Sequence, residues 1–286
     1  LRSPESPAAR AFAAGHADRL AFFAWTQWAA EEQLARVQAA AKGAGMAIGL
    51  YRDLAVGVDP AGAATWAAPD LLPRGAVIGA PPDAFSPTGQ SWGLAPYVPH
   101  RLEALGREPW LADLRANLRH AGAVRIDHVM GLKRLFWIPE GGTPADGSYV
   151  RYPFGHLAAA LAVESHRARC LVVGEDLGTL PMGFRAVLAR AGILSSRVLW
   201  FERERGGGFK PVQRYSRAAV ASVGTHDLPT LKGYLSGRDL DWRARLGRLS
   251  AEQVEEARAQ RAADARRLLG ALRRAGIFPA GGIAPR

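Results

Sequence analysis

The sequence predicts an α/β fold of the TIM (β/α)8-barrel type, incomplete in this chain. Three apolar runs typical of β-strands each end in a carboxylate, at Asp127, Glu175 and Asp227. Helical stretches separate these runs, and in such barrels the reacting groups lie at the carboxyl ends of the parallel strands. We count about five strands, near residues 48, 125, 172, 199 and 222, whereas a closed barrel has about eight. We therefore expect residues 1–286 to form one partial catalytic barrel domain.

Composition limits the class of protein. The chain has 286 residues, of which 48% are hydrophobic, enough for one large domain with a sizeable core. No apolar run reaches the roughly 18 residues that a membrane span needs, so we expect no membrane association. The single cysteine, Cys170, lies in an apolar run, which predicts a buried thiol and fits a reducing, cytoplasmic setting. The net charge of +11 comes mainly from scattered arginines without a nucleic-acid motif, so we expect no nucleic-acid partner.

In chain order, residues 8–42 are predicted to be helical, because apolar side chains recur at helical spacing. Gly43 and Gly45 end this helix, and the run Met-Ala-Ile-Gly-Leu-Tyr at 46–51 predicts a strand that passes into a loop at Arg52 and Asp53. This helix-to-strand return is typical of an α/β repeat. The apolar positions of the predicted helix are Phe12, Leu20, Phe22, Phe23, Trp25, Trp28, Leu34 and Val37.

Residues 59–99 are dense in glycine and proline, which predicts a long irregular loop region. Loops of this length inside a domain are usually functional or disordered. Trp66, Phe85, Trp92 and Tyr97 argue for order, and flat aromatic side chains near a barrel mouth can stack on the apolar faces of sugar rings. Each aromatic is explained equally well as an anchor that pins the loop. We interpret the region as a substrate-groove loop.

The remaining elements alternate in the same manner. Helices are predicted at 100–120, 154–168 and 181–190, and one or two charged helices at 240–275. Strands are predicted to end at Asp127, Glu175, Phe201 and Asp227. Residues 140–152 and the basic, glycine-rich residues 203–216 are predicted to be loops.

The strand-end carboxylates suggest a chemistry. Arg125 and Asp127 lie two residues apart, hence on one face of a strand, and the guanidinium favours the ionised carboxylate that a nucleophile needs. The apolar residues before Glu175 predict a raised pKa, which suits a proton donor. Asp227 beside His226 could bind sugar hydroxyls and stabilise developing positive charge. Two carboxyls about 5–5.5 Å apart suffice for retaining glycoside cleavage. A single strand-end carboxylate more often caps a helix or pairs with an arginine, so spacing alone is a weak indication.

Four stretches carry a resemblance to a known family. Residues 125–132 (Arg-Ile-Asp-His-Val-Met-Gly-Leu), 174–178 (Gly-Glu-Asp-Leu-Gly) and 224–230 (Gly-Thr-His-Asp-Leu-Pro-Thr) resemble the catalytic motifs of the amylomaltases, the 4-alpha-glucanotransferases of the α-amylase clan. Residues 81–97, with Pro-Pro-Asp-Ala-Phe-Ser-Pro-Thr-Gly-Gln-Ser-Trp-Gly-Leu-Ala-Pro-Tyr, resemble the family's glucan-groove signature. The order of the motifs also matches, and the resemblance covers residues 22–242.

The resemblance implies a retaining double displacement on α-1,4-glucans and maltooligosaccharides, with a sugar hydroxyl as the acceptor and no cofactor or metal. It implies that Asp127 is the nucleophile, Glu175 the general acid/base and Asp227 the transition-state stabiliser. Other matched or retained positions imply contacts with substrate; they are Arg125, His226, Asp83, Gln90, Trp92, Asp53 and Phe201.

Two departures from the family qualify this expectation. The family's early Gly-Asp-x-Pro is replaced by Arg52, Asp53, Leu54 and Ala55, which keeps the carboxylate but changes its turn. Family members are also longer, so we expect that N- and C-terminal parts of the barrel lie outside this chain and that the segment alone is poorly stable or inactive. The alternatives are an alpha-glucan hydrolase of the same clan and a non-catalytic glucan-binding fragment. The sequence does not predict an oligomeric state.

Overall fold

The computed structural model describes residues 3–73, 75–83, 86–178 and 180–277, so Phe85 lies outside the described residues. The chain folds into two compact units, Leu1–Leu194 and Ser195–Arg286. Each unit is described by itself below. Within the described part of the chain, no helix is both long and apolar enough to cross a membrane.

The first unit begins with two helices, α1 (Pro7–Gly15) and α2 (Ala17–Gly43). Ser6 caps α1, because its hydroxyl accepts a hydrogen bond from the amide of Ala9 at 3.2 Å. The predicted helix at 8–42 is thus confirmed, with a break at His16. Its apolar side chains, in contrast, are not a core face. Four aromatic side chains of α2 are each more than half exposed; these are Phe22, Phe23, Trp25 and Trp28.

The rest of the first unit alternates strands with helices. In chain order the elements are β1 (Tyr51–Leu54), α3 (Ala63–Ala67), β2 (Ala76–Ala80), β3 (Gln90–Leu94), α4 (Pro99–Ala104), α5 (Glu108–Leu118), β4 (Ala123–Ile126), β5 (Arg134–Pro139), β6 (Ser148–Arg151), α6 (Phe154–Ala168), β7 (Leu171–Gly174) and α7 (Phe184–Arg190).

Strands β1, β4 and β7 form a parallel sheet, which confirms the α/β class. The register places Asp53 of β1 beside Arg125 of β4, and Arg125 beside Val173 of β7. The layer behind the sheet is a buried apolar cluster to which the strands and the covering helices contribute. Its members include Val124, Ile126, Val172, Leu114 of α5 and Leu161 of α6. This packing fixes the strand ends where Asp127 and Glu175 follow.

A second sheet overturns one prediction. Strands β3, β2, β5 and β6 form a four-stranded antiparallel sheet in that order, so the expectation that residues 59–99 are irregular is wrong. Glycines and prolines dominate the composition of this region, but Ile78 of β2 and Ile138 of β5 are fully buried and supply a strand core. The predicted loop at 140–152 likewise contains β6.

Several boundaries also differ from prediction. The strand expected at 46–51 begins at Tyr51, because Gly49 adopts a φ of +79° and interrupts the extended run. The prediction of a loop at Arg52 and Asp53 is wrong, because both residues belong to β1. The backbone before β1 is hydrogen-bonded by the side chain of Gln38 instead. The Gln38 carboxamide accepts from the amide of Leu50 at 2.7 Å and donates to the carbonyl of Ile48 at 3.1 Å. The helix expected at 100–120 is two helices, α4 and α5, and α7 begins three residues after Pro181.

The second unit contains a parallel pair, β8 (Leu194–Val198, all but its first residue in this unit) and β9 (Ala219–Ser222). Three helices follow, α8 (Leu231–Ser236), α9 (Arg238–Arg245) and α10 (Ala251–Arg274). Asp264 of α10 is buried and accepts hydrogen bonds from Arg203 at 3.1 and 3.0 Å and from the hydroxyl of Tyr234 at 3.0 Å. Trp200 stacks on Tyr234, with ring centroids 4.1 Å apart. The strand that was predicted to end at Phe201 ends at Val198, and a 3-10 turn over Leu199–Phe201 follows it.

Candidate active site

The centre of the site is a guanidinium held between two carboxylates. Arg125 donates to Asp53 Oδ1 through Nη1 at 2.7 Å, and its Nη2 lies 2.8 Å from Asp127 Oδ1. The Arg125 side chain is only 13% exposed. Burial lowers the pKa of Arg125, but the hydrogen bond to Asp53 and the charges of Asp127 and Glu175 outweigh that effect, so the pKa is raised. The guanidinium is therefore a permanent positive charge beside Asp127, as the two-residue spacing predicts.

Glu175 follows β7 directly and is held by main-chain amides. Its Oε2 accepts from the amide of His128 at 3.1 Å, and its Oε1 accepts from the amide of Leu177 at 3.0 Å. Burial raises the pKa of Glu175 above its ordinary value, helped by the charge of Asp127 and opposed by the two amides and Arg125. The net shift is upward, which is the direction predicted from the apolar residues of β7.

These contacts join four of the predicted site residues into one cluster. Asp53 and Asp127 both bind Arg125, and the charges of Asp127 and Arg125 both act on Glu175. The cluster places one carboxylate, Asp127, against a guanidinium and a second carboxyl, Glu175, in a partly buried position that raises its pKa. Such divergent environments are what separate a nucleophile from a proton donor.

His128 belongs to this site and was not singled out from the sequence. The strand predicted to end at Asp127 ends one residue earlier, at Ile126, and His128 lies in the turn that follows. His128 adopts φ 42° and ψ 57°. Its imidazole packs edge to face against Trp92, with centroids 5.1 Å apart and planes at 74°. The sequence signal for it was its place in the 125–132 stretch.

Strand β3 presents two of the predicted groove residues. Trp92 Nε1 donates to Gln90 Oε1 at 3.0 Å, and Gln90 is exposed. Asp83 lies in a tight turn before β3, where its carboxylate accepts from the amide of Ser86 at 2.7 Å. Strand β3 is thus linked to the cluster of Asp53, Arg125, Asp127 and Glu175, because Trp92 contacts His128 and the amide of His128 binds Glu175.

Three predicted site residues lie in the second unit. His226 Nε2 lies 3.5 Å from Asp227 Oδ1, and both side chains are about two-thirds exposed, at 70% and 67%. β9 ends at Ser222, so the prediction that Asp227 ends a strand is wrong; Asp227 lies in a turn where its amide donates to Thr225 Oγ1 at 3.3 Å. Phe201 ends a 3-10 turn and is half exposed.

A cavity of about 280 Å³ adjoins Asp127 and His128. Its walls are mostly apolar and include Leu54, Ile126 and Leu132. An apolar wall behind a carboxylate lowers the local dielectric and strengthens its interaction with Arg125. Among the described residues, no group of three or more His, Cys, Asp or Glu side chains is arranged to hold a metal ion.

Comparison with known proteins gives a consistent result. A family described as 4-alpha-glucanotransferase matches residues 1–277. A 4-alpha-glucanotransferase of Haemophilus influenzae is 47% identical over 264 residues, covering 92% of this chain and 38% of that protein. One of Mycobacterium tuberculosis is 44% identical over 288 residues, covering 98% and 39%. The crystal structure of amylomaltase from Corynebacterium glutamicum matches with a TM-score of 0.86 and 40% identity, covering 92% of this chain and 38% of that one. The chain thus spans about two fifths of the length of these relatives.

Proposed function

The chain belongs to the 4-alpha-glucanotransferase family, and from that membership we propose that it carries the reacting carboxyls of an enzyme that transfers α-1,4-glucan segments to acceptor sugars. The observation that supports this best is the cluster in which Arg125 pairs with Asp127 beside a partly buried Glu175 of raised pKa. The substrates are α-1,4-glucans and maltooligosaccharides, in keeping with the names of the relatives.

The first step uses the different protonation of the two carboxyls. The ionised Asp127 attacks the anomeric carbon, forming a bond from its carboxylate oxygen as the bond to the leaving glycosidic oxygen breaks. Protonated Glu175 gives its proton to that leaving oxygen, which departs as a free hydroxyl. Arg125 lies against Asp127 and places a positive charge beside the attacking carboxylate.

The second step reverses the roles. Glu175, now a carboxylate, takes the proton from the hydroxyl of an acceptor sugar, and that oxygen attacks the anomeric carbon and displaces Asp127. Two displacements at one carbon retain its configuration. Transfer in place of hydrolysis requires that a sugar hydroxyl outcompete water in this step.

Other roles follow from the resemblance. Asp227 stabilises the positive charge that develops on the sugar ring, and Arg125 and His226 contact the donor sugar. Asp53 contributes by holding Arg125. The remaining binding positions are Asp83, Gln90 and Trp92 in the groove and Phe201 on the acceptor side. We further propose that residues 1–286 form part of a catalytic (β/α)8-type barrel domain, incomplete in this chain, with residues 59–99 bordering its groove.

Incubation with maltotriose tests the proposal. The protein, expressed from its complete reading frame, is expected to yield glucose together with a ladder of longer oligomers. Shortened products without a ladder would favour a hydrolase of the same clan. Binding of maltooligosaccharides with no turnover would favour a non-catalytic binding protein and overturn the proposal.

A further inference from the structure

The turn after β4 has an unusual backbone for a residue with a side chain. His128 adopts φ 42° and ψ 57°, in the left-handed region that costs a side-chain-bearing residue about 1 kcal/mol or more. Strain of this kind persists when surrounding contacts determine it, and it clusters at functional sites. The contacts of His128 show what the conformation achieves.

The first consequence of the turn is the direction of two successive amides. The amide of His128 donates to Glu175 Oε2 at 3.1 Å, and the amide of Val129 donates to the carbonyl oxygen of Glu175 at 3.1 Å. An extended residue at position 128 would direct successive amides to opposite sides. The left-handed turn therefore fixes both the main chain and one carboxyl oxygen of Glu175.

The second consequence concerns the imidazole. The His128 ring packs edge to face on Trp92 of β3. Burial lowers the pKa of His128 and the charge of Asp127 only partly opposes this, so the ring is neutral at pH 7 and packs as an aromatic group. A glycine would adopt the same backbone at less cost, but it would leave Trp92 without this contact.

We propose that His128 is a positioning residue that couples Trp92 in the groove to Glu175: its amide holds the carboxyl, and its imidazole holds the tryptophan. The inference rests on the proposed function, since it treats Glu175 as the general acid/base. The two halves of the role are separable, because the amide depends on the backbone conformation and the ring contact depends on the side chain.

Two substitutions separate the halves. In His128→Gly the left-handed backbone stays accessible, so the amide should remain on Glu175 while the ring contact is lost. In His128→Val a β-branched side chain disfavours that backbone, so both should be lost. His128→Ala replaces the Val variant if that protein does not fold, as judged by circular dichroism.

The direct readout needs no turnover. Loss of the amide removes a hydrogen bond to the ionised carboxyl, so the pKa of Glu175, followed by carboxyl ¹³C NMR, should rise in His128→Val and stay at the wild-type value in His128→Gly. The indole N–H signal of Trp92 should shift in both variants. If transfer activity is present, His128→Gly should raise KM several-fold with kcat within about twofold. His128→Val should lower kcat about tenfold or more and move the alkaline limb of the pH profile upward.

His120 supplies a matched control. It is also a histidine with positive φ, at 55°, but it precedes β4 and bonds Glu31. His120→Gly and His120→Val should leave the titration of Glu175 and the Trp92 signal unchanged. The inference is overturned if Glu175 titrates identically in His128→Gly and the folded Val or Ala variant, or if the Trp92 signal does not move in His128→Gly. If the wild type does not transfer sugars, the proposed function is refuted. The NMR result still tests the positioning role in that case, because it needs no turnover.

Discussion

At the scale of single residues, the site contains two carboxyls with different partners. Asp127 is paired with Arg125, and Glu175 is partly buried with two amides as its partners. The pairing of Arg125 with Asp127 and the raised pKa of Glu175 were both predictable, because two-residue spacing and apolar flanks act locally. The role of His128 was not, because it depends on where β4 stops, and alternation does not mark that point.

Glu175 should leave a signature in the pH dependence of stability. In the unfolded chain it titrates near its ordinary value of 4.5, whereas the folded carboxyl keeps its proton to higher pH. Between these pKa values the folded state binds more protons, so this group's contribution to the free energy of unfolding falls as pH rises. The wild type's free energy of unfolding minus that of Glu175→Gln should therefore decline across this window.

Urea unfolding at several values between about pH 4 and pH 8 measures this difference. A difference that stays constant or increases with pH would contradict the upward shift. In the same variant, loss of the proposed general acid should lower kcat by about 10²–10⁴-fold.

Asp127→Ala should separate binding from chemistry. The variant lacks the proposed nucleophile, so turnover should fall to background, while Arg125 keeps its hydrogen bond to Asp53 and the fold should persist. Calorimetry with a maltooligosaccharide should show binding within a few-fold of wild type. Asp18→Ala, at an exposed position of α2 outside the proposed groove region, is the control and should behave as wild type. Normal turnover in Asp127→Ala would refute its assignment as the nucleophile.

At the scale of elements, the parallel strands were the most predictable part of the fold. Continuous apolar runs such as 171–174 are typical of strands buried between helices. The antiparallel sheet of β3, β2, β5 and β6 was missed, because its strands are short and are set among glycines and prolines. Cross-strand pairing, such as Ile78 with Trp137, stabilises them, and such contacts between distant segments are not visible in a local pattern.

Gly174, the last residue of β7, allows this strand to pack closely against the turn after β4. A Cβ at this position would lie 2.8 Å from Val129 Cγ1 and 3.0 Å from Val129 Cγ2, atoms that cannot swing away without moving the turn. Gly174→Ala should therefore destabilise the protein by about 1–3 kcal/mol and displace the amides that hold Glu175. Chemical denaturation measures the first effect and kcat the second.

A second substitution should restore what Gly174→Ala removes. Val129→Ala in the same protein vacates the space, so the double variant should recover part of the lost stability and activity, giving a clear coupling between the two sites. Gly155→Ala, in α6 with nothing near its Cβ, is the matched control and should be neutral or slightly stabilising. Independent, additive effects of the two substitutions would argue against the contact.

At the scale of the whole chain, part of the positive charge lies in ion pairs. Arg115 binds Glu108 and Glu164, while Arg261 binds Asp239. Such pairs leave the net charge of +11 unchanged, because that figure already subtracts the carboxylates. The expectation that the chain has no nucleic-acid partner therefore stays a prediction, and a mobility shift of nucleic acid that weakens as salt rises would contradict it.

The exposed aromatics of α2 have a measurable consequence for the 286-residue chain. Phe22, Phe23, Trp25 and Trp28 are each 54–57% exposed, and contiguous exposed apolar surface of this kind binds hydrophobic dyes and promotes self-association. Trp25→Gln with Trp28→Gln should lower dye fluorescence and light scattering at equal concentration. Helix content should be retained, because both tryptophan side chains are more than half exposed and their removal costs few packing contacts. Trp110→Gln, at a buried position in α5, is the contrasting variant and should increase dye binding by loosening the core. Unchanged dye binding in the double variant would show that α2 is covered in solution.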